Sequence, residues 1–175
     1  LELERDGDRA KLKAGFRSGW GWDSDAAIDL DVRMPAQLAL VIDDGSGAIK
    51  VHDIAGAVRI DDGSGPIELG NSGDIDIDDG SGSIRLENTG AVRIDDGSGS
   101  IEVVGTGAAV VVDDGSGSIT IANSGNVSID DGSGSIKVSD VNGNVDIDDG
   151  SGSMTLEARM APSSRGGTNS VPRKR

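Results

Sequence analysis

The chain has 175 residues, a formal net charge of −15, 28 glycines, no cysteine, no tyrosine and one phenylalanine. An aromatic content of 2% is too low for an ordinary globular core, and 35% hydrophobic residues is too high for a disordered chain. No cysteine means no disulfide or thiolate site, the single histidine, His52, argues against a histidine zinc site or catalytic triad, and the acidic balance argues against nucleic acid as a partner.

No apolar run reaches the roughly 18 residues of a membrane span, so no membrane-spanning segment is expected in this chain. No signal peptide is visible. The chain begins at Leu1 rather than Met, so an N-terminal segment is expected to have been removed or left out.

Residues 1–38 carry no repeat and read as an N-terminal β cap. Leu1 to Phe16 forms a hairpin pattern around an Arg-Asp-Gly-Asp turn (residues 5–8), and Ala27 to Met34 alternates like a further strand before Pro35. Trp20 and Trp22 lie in this segment. They read as part of a cap that buries an open sheet edge; a ligand-stacking surface is the competing account.

Residues 39–157 are an internal repeat. The string DDGSG begins at Asp43, Asp61, Asp78, Asp95, Asp113, Asp130 and Asp148, at spacings of 18, 17, 17, 18, 17 and 18 residues. Around each copy the pattern is V-x-I-D-D-G-S-G-x-I-x-V, so aliphatic and polar residues alternate on both sides of a Gly/Asp/Ser turn. Each repeat therefore reads as strand, tight turn, strand, turn. Four apolar positions per repeat face inward, from Leu40, Ile42, Ile49 and Val51 in the first to Val145, Ile147, Met154 and Leu156 in the last. Of these 28 positions 23 are Ile or Val, which suit a pleated surface.

One such repeat cannot bury its own apolar face, but stacked coils can. The fold class is all-β: a flattened two-sided β-solenoid of about seven coils, 17–18 residues per coil. At about 4.8 Å per coil the stack would be about 34 Å long. The outward residues agree. Lys50, Glu68, Arg85 and Glu102 alternate in sign from coil to coil, as do Arg59, Asp76 and Arg93. In-register stacking sets these side chains beside one another, where opposite charges attract.

Residues 158–175 contain no acid and include Arg159, Arg165, Arg173, Lys174 and Arg175, and read as a basic flexible tail. A solvated terminus is the plain account; docking on an acidic row of a neighbouring molecule is the sharper one.

The seven motifs hold the acidic excess. Asp43, Asp44, Asp61, Asp62, Asp78, Asp79, Asp95, Asp96, Asp113, Asp114, Asp130, Asp131, Asp148 and Asp149 account for 14 charges, and without them the net charge would be −1. Stacking aligns them in two rows about 4.8 Å apart along the coils, where unit charges repel by roughly 1 kcal/mol in water. DDGSG also works simply as a turn, with Gly supplying positive φ and Asp and Ser capping backbone N–H groups. That account covers the glycines and one aspartate better than the pair. The functional account is that the carboxylate rows take divalent cations, Ca²⁺ above all, since it accepts several hard oxygen ligands. No motif requires any other cofactor. The calcium-binding nonapeptide pattern fails at its ligand aspartate, and the EF-hand loop lacks its twelfth-position Glu. Ice-binding solenoids show outward Thr rows, and Thr is scarce here.

The stretch IDLDVRMPAQLALVIDDGSGAIKV and coils such as GNVDIDDGSGSIKVSDVNGNVDI resemble the bacterial adhesin family of β-strand-repeat (β-solenoid) domains of unknown function. The resemblance covers roughly Ala27 to Leu156. It implies an extracellular, periplasmic or envelope-associated protein and carries over no catalytic residue. The DDGSG repetition is more regular here than in that family.

An enzyme is not expected. Paired carboxylates do acid–base work when they sit in two distinct environments, and seven near-identical copies offer no unique site. The leading expectation is a structural or adhesin-like surface rod with self-association or a cell-surface partner. After Glu157 no cap is evident, and an open sheet edge can pair with another chain into a fibre. The alternative is a Ca²⁺-binding or Ca²⁺-stabilised repeat protein that uses the stacked Asp ladders.

Overall fold

The structure is a computed structural model that describes residues 2–6, 9–14 and 28–157. The chain divides between Met34 and Pro35 into two compact units. In the first, β1 (Glu2–Asp6) and β2 (Arg9–Lys13) pair antiparallel, with Asp6 opposite Arg9 and Glu2 opposite Lys13. This is the hairpin that the turn residues foretold. The register sets Leu3 against Leu12 and Glu4 against Lys11.

The second expected N-terminal strand does not form. Residues 28–34 carry no strand, and Ile28, Leu30 and Val32 are exposed. Alternation supplies a face, but a strand also needs a neighbour for its backbone hydrogen bonds, and these residues pair with none of the described strands. Trp20, Trp22 and the basic tail lie outside the described residues.

The second unit is all-β, with no helix among the described residues. The first strands of the coils are β3 (Leu40–Asp44), β5 (Val58–Asp62), β7 (Ile75–Asp79), β9 (Val92–Asp96), β11 (Val110–Asp114), β13 (Val127–Asp131) and β15 (Val145–Asp149). The second strands are β4 (Ile49–His52), β6 (Gly65–Ser72), β8 (Gly82–Thr89), β10 (Gly99–Val104), β12 (Gly117–Ser124), β14 (Gly134–Val141) and β16 (Gly152–Glu157). Each set forms its own seven-stranded parallel sheet, in coil order. The result is a β-solenoid of about seven coils.

Register is exact repeat on repeat: Ile60 pairs with Ile77, Ile77 with Ile94, and Asp61 with Asp78. The 20 inward aliphatic residues of the second to sixth coils are all 3% exposed or less. Each fully buried Ile, Val or Leu contributes roughly 1.5–3 kcal/mol, so a continuous aliphatic column holds the stack. Outside it, Lys50 pairs with Glu68 at 3.0 Å and Arg59 with Asp76 at 3.0 Å, while Arg85 bridges to both Glu102 and Glu87. The sign alternation read from the sequence is thus realised in inter-coil ion pairs at Lys50–Glu68, Arg59–Asp76 and Arg85–Glu102.

The two ends differ. In the last coil Val145, Met154 and Leu156 are 40%, 45% and 56% exposed, whereas Ile49 and Val51 of the first coil are buried. The solenoid is also entered before its first strand, since the Gly56 N–H donates to the Ala36 carbonyl at 3.1 Å.

The second turn of each coil is more ordered than a polar linker. Asp53, Asn71, Asn88, Gly105, Asn123 and Asp140 occupy one stacked position and all have φ between +51° and +77°. Short polar side chains and Gly tolerate this left-handed conformation. The kink turns the next residue inward, burying Ser72, Thr89, Thr106 and Ser124 in a row.

Candidate functional site: two aspartate rows

The alternation that fills the core runs on into the motif. After Val58 and Ile60 the next inward position in β5 is Asp62; after Val92 and Ile94 in β9 it is Asp96. The first aspartate of every DDGSG therefore points out and the second points in. Asp43, Asp61, Asp78, Asp95, Asp113, Asp130 and Asp148 form an exposed outer row. Asp62, Asp79, Asp96, Asp114 and Asp131 form an inner row only 1–3% exposed, with Asp44 and Asp149 half-buried at its ends. Both rows are in strict register, Asp95 against Asp78 and Asp113, Asp96 against Asp79 and Asp114.

The rest of the motif holds the inner carboxyls in place. The Ser N–H two residues on donates to the aspartate Oδ1: Ser64 to Asp62 at 3.2 Å, Ser98 to Asp96 at 3.1 Å, Ser133 to Asp131 at 3.0 Å. The aspartate main-chain carbonyl accepts the first Gly N–H of the next coil, as Asp79 does from Gly97 at 2.9 Å. The second Gly has φ of +133° to +156° from Gly65 onward, and a Cβ on it would run into the carbonyl oxygen of the equivalent glycine one coil before. Only glycine lets the turns stack at the strand spacing.

One atom of each inner side chain is left over. The Oδ2 of Asp62, Asp79, Asp96, Asp114 and Asp131 is buried without a hydrogen-bond partner. Burial, with a smaller contribution from the neighbouring aspartates, pushes all five carboxyls above their ordinary range, against the opposing pull of the Ser N–H. Asp96 is pushed up to about 6.

This arrangement bears on each chemistry that the sequence raised. The two carboxylates of a pair lie on opposite faces of one strand, so they cannot converge on one ion. Among the described residues no three His, Asp or Glu side chains come together in a group able to hold a metal ion. Each pair does occupy two distinct environments, as acid–base catalysis requires. The inner carboxyl, however, offers no surface to a substrate. His52 lines a shallow groove with Glu68, Asn71, Arg85 and Glu87. There the Arg85 guanidinium is already engaged by Glu87 at 2.7 Å and by Glu102.

Sequence reasoning placed both rows but missed their division. The signal was present, since extending the core alternation by two residues reaches the second aspartate. No helix among the described residues is long and apolar enough to cross a membrane. No protein-family model, curated protein or solved structure matches the chain, so the likeness to the adhesin repeat domains rests on the repeat residues alone and the β-solenoid is what stands.

Proposed function

We propose that this chain is a non-enzymatic structural module of the cell envelope or extracellular space: a rigid adhesin-like rod that associates end to end through its last coil. The observation that carries this reading is the seventh coil, whose inward side chains no described residue covers. Val145, Met154 and Leu156 occupy slots that are sealed in the second to sixth coils, yet they stand 40–56% exposed at the edge of two sheets. Each of β15 and β16 has one hydrogen-bonded neighbour among the described strands, leaving a template for a further strand.

The seven equal motifs support a presenting surface more than a reaction centre, because no one copy is distinguished by a converging set of side chains. Analytical ultracentrifugation and electron microscopy over a concentration series test the reading. The intact chain forms growing linear species, and the Met154→Lys, Leu156→Lys double variant does not. A chain that stays monomeric at high concentration in both forms removes the proposal.

A further inference from the structure

We propose that the inner aspartate row is a hydrogen-ion site, in which Asp62, Asp79, Asp96, Asp114 and Asp131 share protons from coil to coil, each carboxylic O–H donating to an oxygen of the aspartate stacked beside it.

Two independent observations lead there. In-register stacking sets five carboxyls in one line, on strands about 4.8 Å apart. Separately, every one of the five has an Oδ2 that is buried and without a partner. A buried carboxylate with an unsatisfied oxygen is costly, and five in a line add like-charge repulsion. Protonation removes both costs, since it deletes the charge and turns the orphaned acceptor into a donor.

Among the described residues, the groups that face the row bring no positive charge to it. Asp96 on β9 is flanked by Asp79 on β7 and Asp114 on β11, with Asp95 next in its own strand. Asp62 meets Asp44 and Asp61, Asp79 meets Asp62 and Asp78, Asp114 meets Asp131 and Asp113, and Asp131 meets Asp149 and Asp130. The cations of the same strands, Arg59 and Arg93, are at outward positions, as are Lys50, Arg85 and Lys137 across the core.

A metal cation fits less well. Ca²⁺ takes six to eight oxygens. Here each interval between coils offers two carboxyls, one oxygen of each already accepts the Ser N–H, and the aspartate carbonyls accept Gly N–H groups. A proton needs only two oxygens. The uptake involves no redox change; the protons come from water, and the row loses one negative charge for each.

The stability consequence has a definite sign. These carboxyls are raised above the unfolded value of 3.8, so between that value and the folded one the native state holds more protons than the unfolded chain. The stabilisation is complete below this window and is lost as pH rises through it.

Infrared spectroscopy of the intact chain tests the site through the C=O stretch of protonated carboxyls. At about pH 5.5, above the ordinary range of a carboxyl group in water, the folded protein retains a protonated-carboxyl band. The triple variant Asp79→Asn, Asp96→Asn, Asp114→Asn loses most of that band. The outer triple Asp78→Asn, Asp95→Asn, Asp113→Asn, with the same change of charge, keeps it. Should the inner triple not fold, Asp96→Asn alone reduces the wild-type band, and Asp95→Asn does not. Absence of the band from folded wild-type protein overturns the proposal. So does metal found by elemental analysis at a fixed ratio to protein after dialysis against EGTA, which would make the row a cation site.

Discussion

Asp95 and Asp96 are adjacent in the chain and lie on opposite sides of one strand, the first in solvent and the second 2% exposed with an unpartnered oxygen. The same side chain is thus solvated at one position and, at the next, a buried acid whose carboxyl is raised by that burial. Because the folded carboxyl of Asp96 lies near 6 and the unfolded one near 3.8, stability falls as pH rises across that interval and levels off above it. Thermal melts at constant ionic strength will show Tm declining from about pH 4 to about pH 6.5. Asp96→Asn weakens this slope and raises stability at pH 7 by on the order of 1–3 kcal/mol, or several degrees in Tm. Asp95→Asn leaves the slope in place. Equal slopes in the two variants would show that burial does not separate the rows.

The second glycine of the motif is the tightest point of the stack. Gly82→Ala or Gly99→Ala combines a φ near +150° with a collision against the backbone of the coil before. The cost is about 3 kcal/mol or more, read by chemical denaturation. Gly45→Ala, at the first glycine of the first motif, has nothing within 4 Å of its new methyl. It changes stability by less than about 0.5 kcal/mol.

Position along the stack sets the cost of core truncation. Ile101 is 1% exposed and Met154 is 45% exposed, though both fill the same inward slot of their coils. Ile101→Ala destabilises by about 2–5 kcal/mol, and Met154→Ala by less than about 1 kcal/mol in dilute monomer. A Met154→Ala cost equal to that of Ile101→Ala would mean that the last coil is covered in solution.

The left-handed corner makes a separate prediction. Asn88 has φ of +53° at a position that Gly105 occupies one coil on. Asn88→Gly is tolerated within a few tenths of a kcal/mol, while Asn88→Val loses about 1–2 kcal/mol because a β-branched residue resists that conformation. Equal stability of the two variants by denaturant titration would show that the corner relaxes to another backbone path.

The solenoid, its coil count and its inward face follow from spacing and alternation alone. Ile60, Ile77 and Ile94 recur at nearly constant spacing with strict alternation, and only coil-on-coil stacking buries them all. Opposite charges at Lys50, Glu68 and Arg85 point to the same register. The local motifs of the second corner were also present, Asn71-Ser72, Asn88-Thr89 and Asn123-Ser124, but they look like loop until the left-handed residue turns its neighbour into the core. Ile28, Leu30 and Val32 alternate as well as any repeat strand and form none, because pairing depends on what lies alongside rather than on the pattern. The same holds for the aspartates. Alternation assigns Asp44, Asp96 and Asp149 to one face, yet only Asp96 is fully buried, since it alone of the three has a coil stacked on both sides. Burial, and with it the raised carboxyl and the orphaned oxygen, is a property of the stack. No single repeat contains it, because the low dielectric that produces it is supplied by the neighbouring coils.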